Sequence, residues 1–192
     1  RLAPEEITGD LNASLGHLRT DYIDLYWLHR DDPERPVSEI LETLQSQVKA
    51  GKIRYYGCSN WRIERLDEAR LYAQQNGLDG FAAVQNLWNL AKVNPRGFAD
   101  PTIVCMDDTL WEYHHKHQVA SIPFTSQANG LFQKLVGRNA ESLPGSLQKA
   151  YLNPVTERRF QRLLALSEQT DLTVTQIVLG YLLSQPFPTI PI

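Results

Sequence analysis

The protein is a chain of 192 residues with a formal net charge of −3, in which 42% of the residues are hydrophobic and 21% are charged. This balance is typical of one globular domain with its own core, and the charge gives no support to nucleic acid or an anionic membrane as the main partner. From the length and composition we expect a single domain, residues 1–192. Two cysteines, Cys58 and Cys105, cannot make a disulfide framework, so we expect a reducing, cytoplasmic setting. No apolar run approaches the roughly 18 residues of a membrane span.

The first half of the chain switches between helical and extended spacing of its apolar residues. Pro4 and two acids open a stretch whose apolar residues recur at the spacing of one helix face, which predicts a first helix. Pro36 and Gly51 are suited to the start and the end of a later helix. The elements predicted after the first helix are, in order, a strand in YIDLYWLH, a helix in PVSEILETLQSQVKAGK, a strand in IRYYGCSN and a helix in RIERLDEARLYAQQNG.

The second half continues the alternation with longer connections. We predict a strand in GFAAVQNLWN, a helix in MDDTLWEYHHKHQ, a strand in VASIPFTS, a long loop over 127–154, helices over 154–170 and 173–185, and a closing strand in PTIPI. Strands that alternate with helices form βα units and a parallel sheet, so the expected class is α/β with five strands. The chain begins with Arg1 rather than Met and stops inside an apolar strand, and we expect both ends to be cut.

Polar, uncharged side chains follow four of the predicted strands at the point where each strand ends. In a parallel sheet or barrel the carboxyl ends of the strands are where ligands bind. Hydroxyl and amide groups without carboxylates suit a neutral, amide-bearing ligand better than a metal ion, and no metal-ligand spacing is present. The residues at these ends are His29, then Ser59 and Asn60, then Gln85 and Asn86, then Thr125, Ser126 and Gln127.

Each of these positions also has a purely structural interpretation. His29 could be only the polar end of a strand, Ser59 or Asn60 could cap the next helix, and Gln85 could be a hydrogen-bonded core residue. Cys58 is expected to be a small buried residue rather than a nucleophile, because no base is evident beside it.

Two further clusters have structural alternatives. The histidines of HHKH (His114, His115 and His117) are expected to form a solvated helix face rather than a metal site, because no acid or cysteine completes one. The aromatics near the strand ends are core residues when taken singly, and as a group could line a pocket for a planar ligand. They are Trp27, Trp61, Trp88 and Phe124.

Four segments in this order, SLGHLRTDYIDLYWLHRDDP, EILETLQSQVKAGKIRYYGCSNW, AAVQNLWN and IPFTSQANGLF, resemble the aldo-keto reductase family over essentially the whole chain. The resemblance implies a (β/α)8-barrel fold, NADP(H) or less often NAD(H) as the cofactor, and a small-molecule carbonyl substrate that is reduced to an alcohol by hydride transfer. The second motif departs from the family's usual Gly-Val-Ser-Asn, because Cys58 replaces the valine.

The resemblance also assigns roles on the first strands. His29 matches the catalytic histidine that binds and orients the substrate carbonyl. Ser59, Asn60 and Gln85 match the residues that bind the nicotinamide carboxamide. Side-chain amides and a hydroxyl are chemically suited to an uncharged amide, and fixing that amide fixes which hydride faces the substrate.

Other roles fall on the fourth predicted strand and on the aromatics. Phe124 matches the aromatic, often Tyr in the family, that stacks on the nicotinamide. Thr125, Ser126 and Gln127 resemble the contacts on the pyrophosphate side. The candidates for a substrate wall are Arg30, Trp61 and Trp88.

The family's proton donor is a Tyr supported by Lys and Asp from the first three strands, which have no counterpart in this chain. The expected fold is therefore a partial (β/α)8 barrel with about five of eight βα units, strands four to eight. The isolated chain is expected to be inactive. It would be a fragment of a longer reductase, or be completed by a separate N-terminal part or a homo-oligomer. The alternative function is that of a non-catalytic dinucleotide-binding or structural partial-barrel protein.

Overall fold

The structure is a computed structural model that describes residues 2–192. The chain forms two compact units. The first contains the residues up to Gln85 together with Thr109–Val119, and the second contains Asn86–Asp108 and Ala120–Ile192. The expectation of a single domain over 1–192 stays a prediction.

The first unit contains the regular βα part of the chain. Each of its helices and strands lies where the alternation of the sequence predicted it, and only the strand predicted in GFAAVQNLWN is much shorter than expected. The elements are α1 (Pro4–Leu18), β1 (Ile23–Leu28), α2 (Val37–Lys49), β2 (Ile53–Ser59), α3 (Ile63–Asn76), β3 (Ala83–Gln85) and, apart from its first residue, α4 (Asp108–His117).

The ends of the helices follow from local chemistry. Proline is the first residue of α1, where its missing N–H is not needed, and Glu5 and Glu6 lie in the positive first turn. Arg19 ends α1 and Gly77 ends α3, both in the left-handed conformation that lets the chain leave a helix. The predicted apolar stripe of α1 is confirmed at Ile7, which is buried with two leucines of the same face.

The three strands of the first unit pair in parallel, β1 with β2 and β2 with β3. The register places Leu28 opposite Cys58 and Ser59 opposite Gln85. Gly57 is required in β2, because a Cβ there would lie 2.6 Å from Trp27 Cζ3 and 2.8 Å from the Ala83 backbone oxygen. The ladder therefore brings the carboxyl ends of three strands to one edge.

Helix α4 contains the one histidine cluster of the sequence, and the solvated-face prediction is wrong for His114. That residue is fully buried, and its Nδ1 lies 2.8 Å from the Val119 oxygen, which accepts the bond. His115 is exposed as predicted. Burial lowers the pKa of His114, and the bond to Val119 opposes that shift only in part.

The second unit has little sheet and many short elements. The long loop predicted over 127–154 is wrong, because two short helices and two 3-10 turns form there. The elements are β4 (Ala120–Ser121), α5 (Leu131–Leu135), α6 (Gly145–Tyr151), α7 (Pro154–Thr170) and α8 (Val174–Leu183), with 3-10 turns at Pro95–Gly97, Ala128–Gly130 and Ala140–Ser142.

Burial explains the short helices of this segment. Leu131, Phe132, Leu147 and Tyr151 all lie in one apolar cluster of the second unit. The Gly, Asn, Ser and Pro residues between them suggested a loop, but the free energy of burying these side chains favours short helices over an open connection.

The closing PTIPI segment was predicted as a fifth strand, and this too is wrong, since only the single bridge between Ser121 and Thr189 forms. Its chain nevertheless runs beside β4, because Ile190 N donates to Ser121 O at 2.9 Å and Ile192 N donates to Pro123 O at 3.0 Å. Pro123 has no N–H to return a bond, so the ladder is interrupted. Residues 2–192 therefore contain four strands where the sequence predicted five.

Asparagine side chains hold the connections of the second unit. Asn153 caps α7 by accepting bonds from Val155 N and Thr156 N at 3.1 and 3.0 Å. Its Nδ2 donates to the backbone oxygens of Lys92 and Tyr151 at 2.8 and 3.1 Å. The Asn153 side chain thus forms hydrogen bonds with backbone groups of three segments.

Within residues 2–192, no helix is both long and apolar enough to cross a membrane.

Candidate nicotinamide-binding site

The carboxyl ends of β1, β2 and β3 bring the first predicted site residues together. Because Leu28 lies opposite Cys58 and Ser59 lies opposite Gln85, His29, Ser59 and Gln85 end three neighbouring strands. The sequence placed these residues at strand ends, and the parallel register makes those ends adjacent. Among them, only His29 is exposed.

Ser59, Asn60 and Gln85 form a hydrogen-bonded group. Ser59 Oγ donates to the Gln85 backbone oxygen at 2.8 Å, and Asn60 N donates to the same oxygen at 3.0 Å. Asn60 Nδ2 donates to Ser59 Oγ at 3.0 Å. Asn60 has a φ of 59°, a left-handed conformation that asparagine tolerates better than most residues. These bonds fix the Gln85 backbone at the end of β3.

The side-chain amide of Gln85 is the group that this arrangement leaves available. It is half-buried, and it forms no hydrogen bond with any residue in the described part of the chain. Ser59 and Asn60 are almost fully buried, at 2% and 5% exposure. A carboxamide offers one acceptor and two donors, so Gln85 can pair with another amide in a complementary way.

His29 lies in solvent at the end of β1, where a ligand can reach its ring. Its backbone oxygen accepts a bond of 2.8 Å from Arg30 Nη1, so the arginine side chain folds back over the strand end. Arg30 is half-buried. The histidine ring therefore remains accessible while its backbone is held by its neighbour.

A half-buried arginine that the sequence did not single out holds the loop that follows His29. Arg65, from α3, donates to both carboxylate oxygens of Asp31 at 3.0 and 3.2 Å and to the backbone oxygen of Arg35 at 3.0 Å. The side chains of Arg65 and Asp31 are only 15% and 10% exposed. The charged run HRDDP was the available signal, but nothing in the sequence shows which arginine reaches it.

Cys58 and Trp61, next to the site, are packing residues in this structure. Cys58 is fully buried, and burial raises the pKa of its thiol, which confirms the prediction of a small buried residue. Trp61 is also fully buried, with its ring edge-on to Phe81 at 4.8 Å between centroids. Its assignment to a substrate wall stays a prediction, because the ring presents no surface here.

Four further predicted residues, Phe124, Thr125, Ser126 and Gln127, lie in the second unit, in the turn after β4. Phe124 N donates to Asn86 O at 3.2 Å, and Phe124 also bridges Leu87. Thr125 has a φ of 55°, and Asn89 Nδ2 donates to its backbone oxygen at 3.2 Å. A non-glycine residue in this conformation persists only when its surroundings hold it, and such residues concentrate at functional sites.

Ser126 and Gln127 complete this turn. Ser126 Oγ donates to the Ile192 oxygen at 2.8 Å, and the oxygen of the Gln127 side chain accepts a bond of 2.8 Å from Gln133 Nε2. Ala128 and Asn129 again have positive φ values, 48° and 54°. Gly130 follows with a φ of 75°, so three consecutive residues are left-handed. The N–H groups of Ser126, Ala128 and Gly130 already donate to the backbone oxygens of Ile192, Thr125 and Gln127.

Trp88 is a core residue of the second unit. It is 6% exposed and packs against Phe187 and Tyr181, with centroid distances of 6.0 and 5.9 Å. Its assignment to the substrate wall stays a prediction. Among the described residues, no group of three or more His, Cys, Asp or Glu is arranged to hold a metal ion.

The chain matches the family model described as "Aldo/keto reductase family" over residues 1–192. It is 27% identical over 190 residues to aldo-keto reductase YhdN of Bacillus subtilis, a match that covers 94% of this chain and 51% of that protein. It is 30% identical over 142 residues to a putative aryl-alcohol dehydrogenase of Schizosaccharomyces pombe, which covers 74% of this chain and 40% of that protein.

A solved structure of a thermostable aldo-keto reductase in complex with the inhibitor epalrestat is similar in fold. It superposes with a TM-score of 0.69 and 26% identity, over 99% of this chain and 56% of that one. The chain therefore has the α/β architecture of these barrel enzymes, and it spans about half the length of the relatives that it matches.

Proposed function

The chain belongs to the aldo/keto reductase family, and on that premise we propose that its first unit carries the carboxamide-binding and substrate-orienting part of an NAD(P)H-dependent carbonyl reductase. The expected reaction is the reduction of an aldehyde or ketone to an alcohol. The single observation that carries the proposal is the accessible, unpaired amide of Gln85 at the end of β3, held in place by Ser59 and Asn60.

The donor set of this edge fits a nicotinamide. Gln85 offers one carbonyl oxygen and one NH2 group to the carboxamide, and the Ser59 oxygen keeps a lone pair after accepting from Asn60. None of these three residues carries a charge, so none opposes an uncharged ring. In the proposed site, Gln85 binds the carboxamide directly, and Ser59 and Asn60 hold the Gln85 backbone. Direct contacts from Ser59 and Asn60 to the carboxamide are proposed from the resemblance.

When bound, the nucleotide supplies the hydride. The chain's own residues bind and orient the reactants. Gln85 fixes the orientation of the ring, and His29, two strands away at the end of β1, donates a hydrogen bond to the substrate carbonyl. Such a bond stabilises charge that develops on the oxygen, and positioning of the two reactants supplies much of the rate. Arg65 holds the loop after His29, which keeps the histidine from moving with a free loop.

The nucleotide contacts that the resemblance assigned to Phe124 and to Thr125, Ser126 and Gln127 are kept as proposals. Phe124 would stack on the nicotinamide, and the turn after it would face the pyrophosphate. Bonds within the second unit hold the backbone of this turn, and several of its N–H groups already donate there, so the proposed role at the pyrophosphate rests on the resemblance.

NADP(H) is proposed as the nucleotide, with NAD(H) as the other possibility. The family's Tyr, Lys and Asp set has no counterpart in these 192 residues, so the isolated chain is proposed to bind nucleotide without turning over substrate. An aryl aldehyde is the first substrate to test, since one relative is named for aryl alcohols. A cytoplasmic location, and completion by an N-terminal part or by another copy, stay predictions.

The experiment compares two ligands on three forms of the chain. NADPH and 2′,5′-ADP, which lacks the nicotinamide, are titrated into the wild type, Gln85→Ala and Gln75→Ala, an exposed glutamine of α3. We expect Gln85→Ala to weaken NADPH binding about tenfold, the effect of one or two hydrogen bonds, and to leave 2′,5′-ADP unchanged. Gln75→Ala should leave both affinities unchanged.

Equal loss of both ligands in Gln85→Ala would refute the carboxamide contact. Turnover of an aryl aldehyde by the isolated chain would refute the proposed lack of a proton donor. Where a complete enzyme can be assembled, Gln85→Ala should mainly raise the KM for the nucleotide and His29→Ala should mainly lower kcat.

A further inference from the structure

A groove between the two C-terminal helices of the second unit, which we call the α7–α8 groove, is not part of the proposed nicotinamide site. Its volume is about 520 Å3, within the roughly 300–1,000 Å3 of pockets that take small molecules. Most of its surface is apolar and comes from α7, the turn after it and α8. The apolar residues on which the inference depends are Leu163, Leu166, Leu172, Ile177 and Tyr181.

Several of these apolar side chains are left in solvent. Leu166 and Leu172 are each 42% exposed, although both line the α7–α8 groove. Leu163, at the base of the groove, is 2% exposed and belongs to the core cluster of the unit. The groove thus joins a buried apolar floor to open apolar walls, which an apolar ligand would cover.

Two arginines of α7 border the α7–α8 groove, and none of its lining residues is an acid. Arg159 Nη1 donates to the backbone oxygen of Leu90 at 2.8 Å, which fixes the guanidinium at the border. Arg162 lies one turn further along the same helix. Neither Arg159 nor Arg162 forms an ion pair with another residue of the described chain. The groove therefore offers positive charge beside apolar surface.

Gly180 leaves additional room on the α8 side. It lies inside the helix and lines the α7–α8 groove, and a Cβ built on it has nothing within 4 Å. Glycine is less favourable than alanine inside a helix. Since neither close packing nor a positive φ requires glycine at this position, the open space beside it is the feature that the glycine preserves.

We propose that the α7–α8 groove binds a small amphipathic carboxylate. The apolar body lies along Leu166, Leu172 and Tyr181, over the space left by Gly180, and the carboxylate pairs with Arg159 and Arg162. The fork of a guanidinium matches a carboxylate with two parallel bonds. An anion without an apolar body would leave the leucines in water, and a neutral amphiphile would leave the arginines without a counter-charge.

The test titrates octanoate, octanamide and inorganic phosphate into the wild-type chain by calorimetry at low ionic strength. Octanamide has the same shape as octanoate without its charge. We expect saturable binding of octanoate, about tenfold weaker binding of octanamide, which lacks the charge-assisted bonds, and still weaker binding of phosphate. Added NaCl should weaken the binding of octanoate more than that of octanamide.

Variants test the arginine border and the apolar space of the α7–α8 groove separately. Arg159→Met should reduce the affinity for octanoate about tenfold and leave that for octanamide unchanged. Arg158→Met is the matched control, because it removes the same charge from an exposed neighbour that does not line the groove. Gly180→Leu fills the space with a better helix former and should abolish binding of both amphiphiles, while Gly180→Ala should weaken it less.

Thermal unfolding verifies that each variant is folded before its titration is used. Equal affinity for octanoate and octanamide, or equal losses in Arg159→Met and Arg158→Met, would overturn the assignment of the carboxylate. Undiminished binding of octanoate to folded Gly180→Leu, or no saturable binding of octanoate to the wild type, would overturn the proposal that the α7–α8 groove is the binding site. The titrations use no nucleotide, so their outcome is independent of the proposed reductase function.

Discussion

The two units of this chain are stabilised internally by different kinds of interaction. In the first unit, parallel ladders join β1, β2 and β3, and helices cover them. In the second, polar side chains such as Asn153 bind the backbone of several loops, and short helices pack around an apolar cluster. A repeated backbone pattern specifies the first unit, whereas individual side chains specify the second.

This difference affects how each unit holds its functional groups. The backbone register of the β2–β3 ladder places Ser59 and Gln85 at adjacent strand ends, so their positions depend little on which side chains surround them. The turn that begins at Thr125 has a left-handed backbone that its neighbours must enforce one bond at a time. We therefore expect point mutations to disturb the first unit through packing of the sheet and the second through loss of single polar contacts.

The largest effect is expected for Gly57→Ala, which tests the ladder. The new Cβ would overlap both the Trp27 ring and the Ala83 backbone oxygen, and backbone cannot move away as a side chain can. The free energy of unfolding should fall by about 3 kcal/mol, the upper range for overpacking. Chemical denaturation measures the loss, and hydrogen exchange should place it in β1, β2 and β3.

Gly9→Ala is the control for that prediction. It adds the same methyl group to an exposed helical position with nothing within 4 Å, and should be neutral or slightly stabilising. A destabilisation by Gly57→Ala no greater than that of the control would show that the ladder is not closely packed at Gly57.

The next largest effect is expected for Arg65→Met, because this change removes the ion-pair partner of the half-buried Asp31 carboxylate. Removing one member of a well-buried ion pair costs roughly 3 kcal/mol, and the small exposure of Asp31 should reduce this to about 2 kcal/mol. Arg54→Met is the matched control, since its pair with Asp24 is 59% and 69% exposed and should contribute less than about 1 kcal/mol.

A double-mutant cycle with Asp31→Asn separates the Arg65–Asp31 pair from the other bonds of Arg65. If the coupling free energy of Arg65 and Asp31 is no larger than that of the exposed pair Arg54–Asp24, this contact does not hold the loop after His29.

Asn153→Ala tests the polar scheme of the second unit. It removes the cap of α7 and the Asn153 donor of the Tyr151 carbonyl, and it leaves the Lys92 carbonyl with only the longer bond of 3.4 Å from Thr156 Oγ1, so we expect a loss of about 2 kcal/mol. Asn139→Ala, which removes an exposed cap from a 3-10 turn of the same unit, should cost less than about 1 kcal/mol. Similar losses in the two variants would contradict the specific role given to Asn153.

The smallest effect is expected from pH and concerns His114. Burial lowers the pKa of the folded imidazole below its usual 6.5, so between that value and the lower folded pKa the unfolded chain binds more protons. Stability should therefore be highest above pH 6.5 and should fall as the pH drops through this window. Urea unfolding across pH 5 to 8, compared for His114→Gln and the exposed neighbour His115→Gln, measures the effect. A pH dependence that persists in His114→Gln and disappears in His115→Gln would exclude His114 as its source.

The sequence predicted the first unit well because its information is periodic. Helical spacing and alternating elements depend only on nearby residues, and α1, α2 and α3 lie where those patterns placed them. The exposure of His114 was predicted wrongly because it does not depend on nearby residues alone. A histidine at a helix end has the same local pattern whether it faces water or a carbonyl, and only the packing of α4 decides which.

The second unit was harder to predict because its short elements depend on distant partners. The segment 127–154 is rich in loop-forming residues, yet its apolar side chains form helices once a common core is available. The failure of PTIPI to form a strand has a local cause at Pro123, which could be read from the sequence only if the pairing partner were known.

By itself, the sequence determined the alternation of strands and helices and the family, because these follow from local spacing and from motifs, and it named the residues of a candidate site that stays a prediction. The tertiary structure alone decided that Gln85 keeps an available amide while Ser59 and Asn60 bind each other, that Arg65 rather than another arginine holds the loop after His29, and that Trp61 is buried. The physical reason is that Ser59 and Gln85 lie 26 positions apart and Asp31 and Arg65 lie 34 positions apart, so these partners come together only in the folded chain.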